Sequence, residues 1–270
     1  DDVKCLEFYN KNMDIFNKYK GLKMELESIA VVRKDYGVEY AIPLAALKDE
    51  KRLFIPEQMQ TFLEFLGHKK PIKYQVFKPD NRGVKQGSGR NTYVQNIDEA
   101  INLARIDNGK GIICVAIGEH GNKQTEDITN ITRLLALVID VDVKKDRKIN
   151  YVSSRADHLH AINIAYTFVK EELEKMGFRV GLIDDSGNGA HVFIKVGIDI
   201  PEGTTQKNLA DTEFYRRVIT IENMLKEKLK EMNDEIVNID CISKDAVRRI
   251  KIPGAMNKKD IFQAEDRVCK

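Results

Sequence analysis

The sequence predicts a mixed α/β protein of the α+β class, and three stretches carry that prediction. Leu134 to Lys144 reads LLALVIDVDVK, an almost unbroken apolar and largely β-branched run of the kind found in strands buried on both faces. Asp184 to Val196 reads DDSGNGAHVFIKV, a turn of small residues opening into a second apolar strand. Ile236 to Ile239 reads IVNI, a third strand that ends in Asp240. Segments with helical periodicity separate them.

Taken in order, Val3 to about Glu27 has Leu6, Phe8, Met13, Phe16, Leu22 and Leu26 near helical spacing. Ser28 to Leu47 reads as two short strands around a turn at Asp35 to Gly37. Pro56 sits at a helix start, and QTFLEFL (Gln60 to Leu66) gives that helix an apolar face ending at Gly67. Lys69 to Arg90 turns basic and glycine-rich and reads as a flexible loop at a module boundary. A helix over Ile97 to Arg105, a strand over Gly111 to Ile117 and a polar loop over Gly118 to Asn130 lead into the acidic strand. Ser153 or Ser154 caps a long helix that runs to about Met176 and closes at Gly177, with Ile162, Ala165, Phe168, Val169 and Leu173 inward. His158 and His160 lie on different faces of that helix and read as surface histidines. Phe178 to Ile183 forms a strand, and Thr212 to about Met232 a helix with Phe214, Val218, Ile221, Leu225 and Leu229 on its buried stripe. This divides the chain into an N-terminal accessory α/β region, residues 1–92, and a core, residues 93–270.

Size and composition narrow the functional classes. A chain of 270 residues can bury a full core, and 42% hydrophobic with 32% charged residues describes a globular protein. No apolar run approaches a membrane span and no signal peptide opens the chain, so no membrane partner is expected and a cytoplasmic location fits. The start at Asp1-Asp2 and the end at Cys269-Lys270 suggest a piece of a longer protein with further domains. With a net charge of +2, nucleic-acid affinity must come from local patches. Cys5, Cys114, Cys241 and Cys269 stand singly, without a C-x-x-C, so neither disulfides nor a zinc site is expected.

Four groups of residues bear chemistry. Asp140 and Asp142 are two apart on a strand and therefore share a face, while Val141 points back into packing. Buried carboxylates are paired or hold a metal, and without one these two are expected to repel each other. The reading is a platform for divalent metal; the alternative is a strand running out into solvent. Ser186, Gly187, Asn188 and Gly189 let backbone amides approach a phosphate closely, and His191 just beyond can donate to the same anion; a purely structural turn competes with that reading. Asp240 supplies a third carboxylate, and Arg248, Arg249, Lys251, Lys258 and Lys259 follow around a Pro253-Gly254 turn, as a metal-bound polyphosphate requires. In the 69–90 loop, Lys78, Arg82, Lys85 and Arg90 with Tyr74, Phe77 and nearby Tyr93 suit a single strand of nucleic acid, against the alternative of a solvated linker.

Together these passages resemble the archaeo-eukaryotic primase superfamily, the family of primase-polymerases. Its hydrophobic strand with D-x-D is matched by VIDVD. Its small residue, any residue, then histidine is matched by GAH, and its hydrophobic residue with aspartate by Ile239-Asp240. Many plasmid, phage and CRISPR-associated members continue with an R-x-P-G-x-x-N-x-K-like run, matched by Lys251 to Lys259 through Pro253, Gly254 and Asn257. The resemblance spans about residues 95 to 260, with all three motifs in the family's order. Gly189 stands where many members have serine, and Lys251 where arginine is usual, which keeps the charge without bidentate geometry.

The resemblance implies an α/β unit packed against a sheet like that of RNA-recognition domains, with the active site in the cleft between them. It implies that Asp140, Asp142 and Asp240 hold two Mg²⁺ or Mn²⁺ ions, one activating a 3′-hydroxyl and the other neutralising the triphosphate. Ser186, Gly187, Asn188, Gly189, His191, Arg248, Arg249, Lys251, Asn257 and Lys259 would then bind the nucleotide. The partners would be a single-stranded DNA template, a primer strand and NTP or dNTP, in template-dependent nucleotidyl transfer. A D-x-D glycosyltransferase using a nucleotide sugar and a non-catalytic single-strand-binding module are the competing classes. The first leaves Asp240 and its basic run unexplained, and the second gains nothing from carboxylates facing phosphates.

Overall fold

The computed structural model describes residues 29–31, 41–43, 54–77, 88–121, 128–148, 153–205, 207–257 and 267–268. The chain divides into two compact units, Asp1–Arg52 and Leu53–Lys270. In the first, β1 (Ile29–Val31) and β2 (Ala41–Pro43) pair antiparallel, the two short strands expected there. The helix expected over Val3 to Glu27 lies outside the described residues. In the second unit, α1 (Pro56–Leu66) starts on its proline and stops at Gly67, which takes the left-handed conformation that closes helices. β3 (Ile72–Phe77), β4 (Ser88–Val94), α2 (Ile97–Asp107), β5 (Ile112–Ala116), β6 (Gly118–His120) and β7 (Ile131–Val143) follow. The 92/93 boundary read from the sequence thus falls inside β4, a strand of this second unit.

Ser154 caps α3 (Arg155–Ile164), which continues through a π turn at Ala165–Val169 into α4 (Lys170–Lys175). The remaining elements are β8 (Val180–Asp185), β9 (Gly189–Asp199), α5 (Glu213–Glu231, capped by Thr212), β10 (Val237–Cys241), β11 (Arg249–Lys251), β12 (Met256–Asn257) and β13 (Arg267–Val268). Phe168 and Phe214, expected inside, are only half-buried at the margins of otherwise apolar stripes.

The described strands of the second unit form two antiparallel sheets. The first has the order β10-β7-β9-β8, with β6 also pairing β7; the second runs β13-β12-β5-β3-β4, with β11 also pairing β5. β7 is the spine of the first. β9 runs along one edge, while β6 covers its beginning and β10 its end on the other. Between β6 and β10 the edge of β7 would have unsatisfied groups. Fully buried Ser243 meets that need, accepting from Val138 N–H at 2.6 Å and donating to the Ala136 carbonyl at 3.2 Å. α3 packs on β7 and β9, and α5 on β10.

Residues 72–77 and 88–90 of the segment read as a flexible loop are strand, in β3 and β4 of the second sheet, while residues 78–87 lie outside the described residues. Within IKYQVF, Tyr74 and Val76 are buried on one face, and Tyr74 Oη donates to Asp107 of α2 at 3.3 Å. Tyr74 is therefore a core residue, not a stacking platform. Lys73 and Gln75 occupy the other face and are also buried. Period-2 alternation decides the structure here; the local charge does not. Lys78, Arg82 and Lys85 lie outside the described residues. Arg90 pairs with Asp107 at 2.7 Å, which ties β4 to the end of α2 instead of offering a free cation. The expected loop from Gly118 to Asn130 begins as strand β6.

Candidate active site

Antiparallel register assembles the site. Asp240, Asp140, His191 and Asp184 are direct partners across β10, β7, β9 and β8, so their side chains form one row on one face of the first sheet. One step along the same face lie Asn238, Asp142 and Gly189. The alternate residues Ile139, Val141, Ala190 and Val192 are buried on the face that carries α3. The three carboxylates and the histidine singled out from the sequence are thus brought together from strands that lie far apart along the chain.

The carboxylates have cationic partners that the sequence reading missed. Lys148 Nζ lies 2.5 Å from Asp142 Oδ2, and Lys244 Nζ lies 2.5 Å from Asp240 Oδ1. Lys244 also reaches Glu222 Oε2 at 3.1 Å, and Glu222, buried in α5, accepts from Cys241 N–H. The expected mutual repulsion of Asp140 and Asp142 is accordingly offset by protein charges. Lys244 carries a recognisable signal, standing four residues after Asp240; Lys148, six residues beyond Asp142 past a tight turn, carries none.

The glycine-rich turn is braced from α3. His158 is buried, not a surface residue, and its Nε2 donates to Asp185 Oδ1 at 2.8 Å. The same oxygen accepts from Gly187 N–H at 2.7 Å. Ser153 N–H donates to Asn188 Oδ1 at 3.2 Å, and Asn188 is buried. Ser186, likewise buried, donates its N–H to the Gly189 carbonyl at 3.0 Å. Part of the turn's expected phosphate-binding capacity is therefore used within the turn. His160 also has a partner, Asp234, at 2.5 Å. Gly187 has φ +86°, and a Cβ on Gly189 would sit 2.1 Å from the Val141 carbonyl oxygen. At Gly189 glycine is demanded by the close approach of β9 to β7, which accounts for the absence of serine there.

His191 sits between two carboxylates. Its Nδ1 donates to Asp184 Oδ1 at 2.8 Å, and its Nε2 lies 3.8 Å from Asp140 Oδ1. Burial works against the charged ring, but Asp184 and then Asp140 outweigh it, raising the His191 pKa above the ordinary histidine value. Burial likewise raises the Asp184 pKa, against the opposing pull of His191.

The second sheet supplies the facing wall. Asn91, Gln75, Cys114 and Lys251 form a row across β4, β3, β5 and β11. Lys73, over the Tyr93 ring at 4.5 Å, lies beside that row on the same face of β3. Arg249 is on the same face of β11 as Lys251, with Ile250 buried behind them. Lys251 Nζ donates to the Ser186 carbonyl at 2.7 Å, which joins this cationic face to the acidic one. Arg248 is exposed just ahead of the strand, Asn257 lies on β12, and Lys259 is outside the described residues. Further along the interface, the Tyr93 ring meets His120 edge-on at 5.4 Å.

No protein-family profile matches the sequence, and no curated protein matches it. Several solved structures match the chain, a polymerase domain among them. That structure is the polymerase domain from Mycobacterium tuberculosis ligase D in complex with DNA, at a TM-score of 0.45 and 14% identity, with 79% of each chain covered. The likeness is too slight to carry an argument about chemistry.

The donor set suits a hard divalent cation. Asp142 Oδ1 is buried with no hydrogen-bond partner among the described residues, an orphaned anionic oxygen beside Asp140. Among the described residues no three His, Cys, Asp or Glu side chains converge into a complete ligand set. Mg²⁺ typically takes one or two carboxylates and completes its shell with water and substrate phosphate, which fits this arrangement better than an all-protein cage. No helix among the described residues is long and apolar enough to cross a membrane.

Proposed function

We propose that this chain is a template-directed nucleotidyltransferase of the primase-polymerase kind, acting on nucleoside triphosphates and single-stranded DNA. The supporting observation is the register that sets Asp240, Asp140 and His191 side by side, opposite a strand bearing Arg249 and Lys251. Asp140, Asp142 and Asp240 would hold Mg²⁺ or Mn²⁺, which when bound polarises the reacting phosphate and lowers the pKa of a 3′-hydroxyl. His191 would donate to the triphosphate, and Arg249 and Lys251 would offset its charge as pyrophosphate departs. Lys148 and Lys244 keep the carboxylates neutralised until cation and nucleotide arrive. Hydrophobic packing of α3 behind β7 and β9 holds the row rigid, as positioning within a fraction of an ångström requires.

The same two lysine–carboxylate pairs favour one other reading, a single-strand-binding module in which protein cations take the place of metal. Incubation with unprimed single-stranded DNA, Mn²⁺ and labelled nucleotides separates the two. Short labelled products that depend on template are expected of the enzyme. Binding of DNA without any incorporation, with or without a primer, would return the chain to the binding class.

A further inference from the structure

The polar row across the first sheet has a fourth member, Asp184, to which the sequence reading gave no role. Asp184 is 3% exposed and lies directly opposite His191 in register. Its Oδ1 accepts from the His191 ring at 2.8 Å and from the His191 backbone N–H at 3.2 Å. Its Oδ2 is buried with no partner among the described residues, so both of its hydrogen bonds in this structure go to one residue. We propose that Asp184 is the positioning residue of His191, fixing the imidazole by Nδ1 so that Nε2 faces the substrate anion. This rests on the assignment of His191 to the triphosphate.

The geometry supports a dedicated role. A strand pair needs no carboxylate to hold its register, and burying one is costly unless its bonds are specific. A half-turn of the imidazole about its last side-chain bond would put carbon where Nδ1 and Nε2 now stand. Asp140 Oδ1, 3.8 Å from Nε2, favours the present orientation only at long range, and the rest of the ring's surroundings discriminates poorly between the two. Phe193 meets it edge-on at 5.9 Å and is itself wedged by Phe62 at 5.3 Å, and such packing limits tilt without telling nitrogen from carbon. Asp184 does tell them apart, because only Nδ1–H can donate to it. The adjacent Asp185 points to the opposite face and serves His158 and the Gly187 amide, so two successive aspartates divide the work. One orients the turn and the other orients the ring.

A double-mutant cycle tests this, with Mn²⁺ alone and Mn²⁺ plus a non-hydrolysable α,β-imido nucleoside triphosphate as probes, read by calorimetry. His191→Ala is expected to weaken the nucleotide roughly 10- to 100-fold, the worth of one charge-assisted bond. Asp184→Asn is expected to weaken it about 3- to 10-fold, with Mn²⁺ affinity unchanged, and to add nothing in the His191→Ala background. Long-range ¹⁵N–¹H spectra of the wild-type protein should show hydrogen on His191 Nδ1, and Asp184→Asn should lose that signature. Equal losses from Asp184→Asn in both backgrounds, or none in either, would overturn the proposal, as would a wild-type Nδ1 without hydrogen. If Asp184→Asn does not fold, the wild-type spectrum decides alone. If His191→Ala binds nucleotide like wild type, the triphosphate assignment itself fails, which is distinct from a weakened His191→Ala beside an unaffected Asp184→Asn.

Discussion

Replacing Asp142 by asparagine in the metal-free protein asks whether the acidic platform is under repulsion or is charge-balanced. The sequence alone, with two aspartates on one strand face, predicts that losing a carboxylate relieves strain and leaves stability unchanged or raised. The structure predicts the opposite sign. Lys148 Nζ is 2.5 Å from Asp142 Oδ2, and the Lys148 side chain is 9% exposed against 29% for Asp142. An exposed pair of this kind contributes about 0–1 kcal/mol, and breaking a fully buried one costs about 3–5 kcal/mol. A half-buried pair lies between, at about 2 kcal/mol, because the isosteric change strands an ammonium that has little access to water. For a domain of about 200 residues that is a fall in Tm of about 4–8 °C. Melting by circular dichroism in EDTA, for Asp142→Asn, Lys148→Met and the double variant, reads both the loss and the coupling. The double variant should recover part of the stability, since neither charge is then left alone. A Tm equal to or above wild type for Asp142→Asn would refute the charge-balance reasoning and restore repulsion as the dominant force.

Other expectations follow from individual interactions. Gly189→Ala puts a Cβ about where the Val141 carbonyl oxygen now is, 2.1 Å away, so a loss of about 3 kcal/mol is expected in urea unfolding. Unchanged or raised stability, as Ala-for-Gly gives in an ordinary strand, would mean the β7–β9 approach is not that close. Burial holds the His68 and His120 pKa values down to about 4, against 6.5 unfolded, so the unfolded chain binds more protons between those values and stability falls as pH drops through that window. Each should contribute roughly 2 kcal/mol of loss by pH 5. His191, whose pKa is raised, acts only above 6.5, where its contribution is lost as pH rises, so it does not mask the effect. Replacing His68 and His120 by glutamine should flatten the pH 6.5–4.5 limb of a urea titration; an unchanged slope would contradict the burial argument. Arg90→Ala leaves the buried Asp107 carboxylate without its cation and should cost about 1–2 kcal/mol with single-stranded DNA affinity unchanged. Neutralising Lys78, Arg82 and Lys85 should instead lower the log–log salt slope of that affinity by about 0.7 for each phosphate that is no longer neutralised, and filter binding at several salt concentrations distinguishes the two.

What was legible in the sequence follows from which forces are local. The acidic strand, the caps at Ser154 and Thr212 and the Gly67 and Gly177 stops were readable because period, capping chemistry and left-handed glycine act within a few residues. The gathering of Asp140, Asp240 and His191 was legible only through the ordered resemblance, since strand register is set by pairings between distant segments. Asp184 and Lys148 stayed hidden for the same reason: their partners depend on which strand lies alongside and how the chain turns back. Residues 69–77 misled because a count of cations was weighed above alternation. Lys73 and Gln75 look like solvent residues by type, yet both are buried in the folded chain. His158 misled likewise, its partner Asp185 being visible only once β8 is placed under α3.

Asp140→Asn tests most directly the proposed nucleotidyl transfer at the row of carboxylates, because Asp140 stands at the middle of the row, beside both Asp240 and His191. The measurement is the rate of labelled nucleotide incorporation on a primed single-stranded DNA template with Mn²⁺, wild type against Asp140→Asn, with melting curves showing both proteins folded. Template-dependent incorporation by wild type and a fall to background in the variant is the predicted result. A folded Asp140→Asn protein that extends the primer at the wild-type rate would contradict the account.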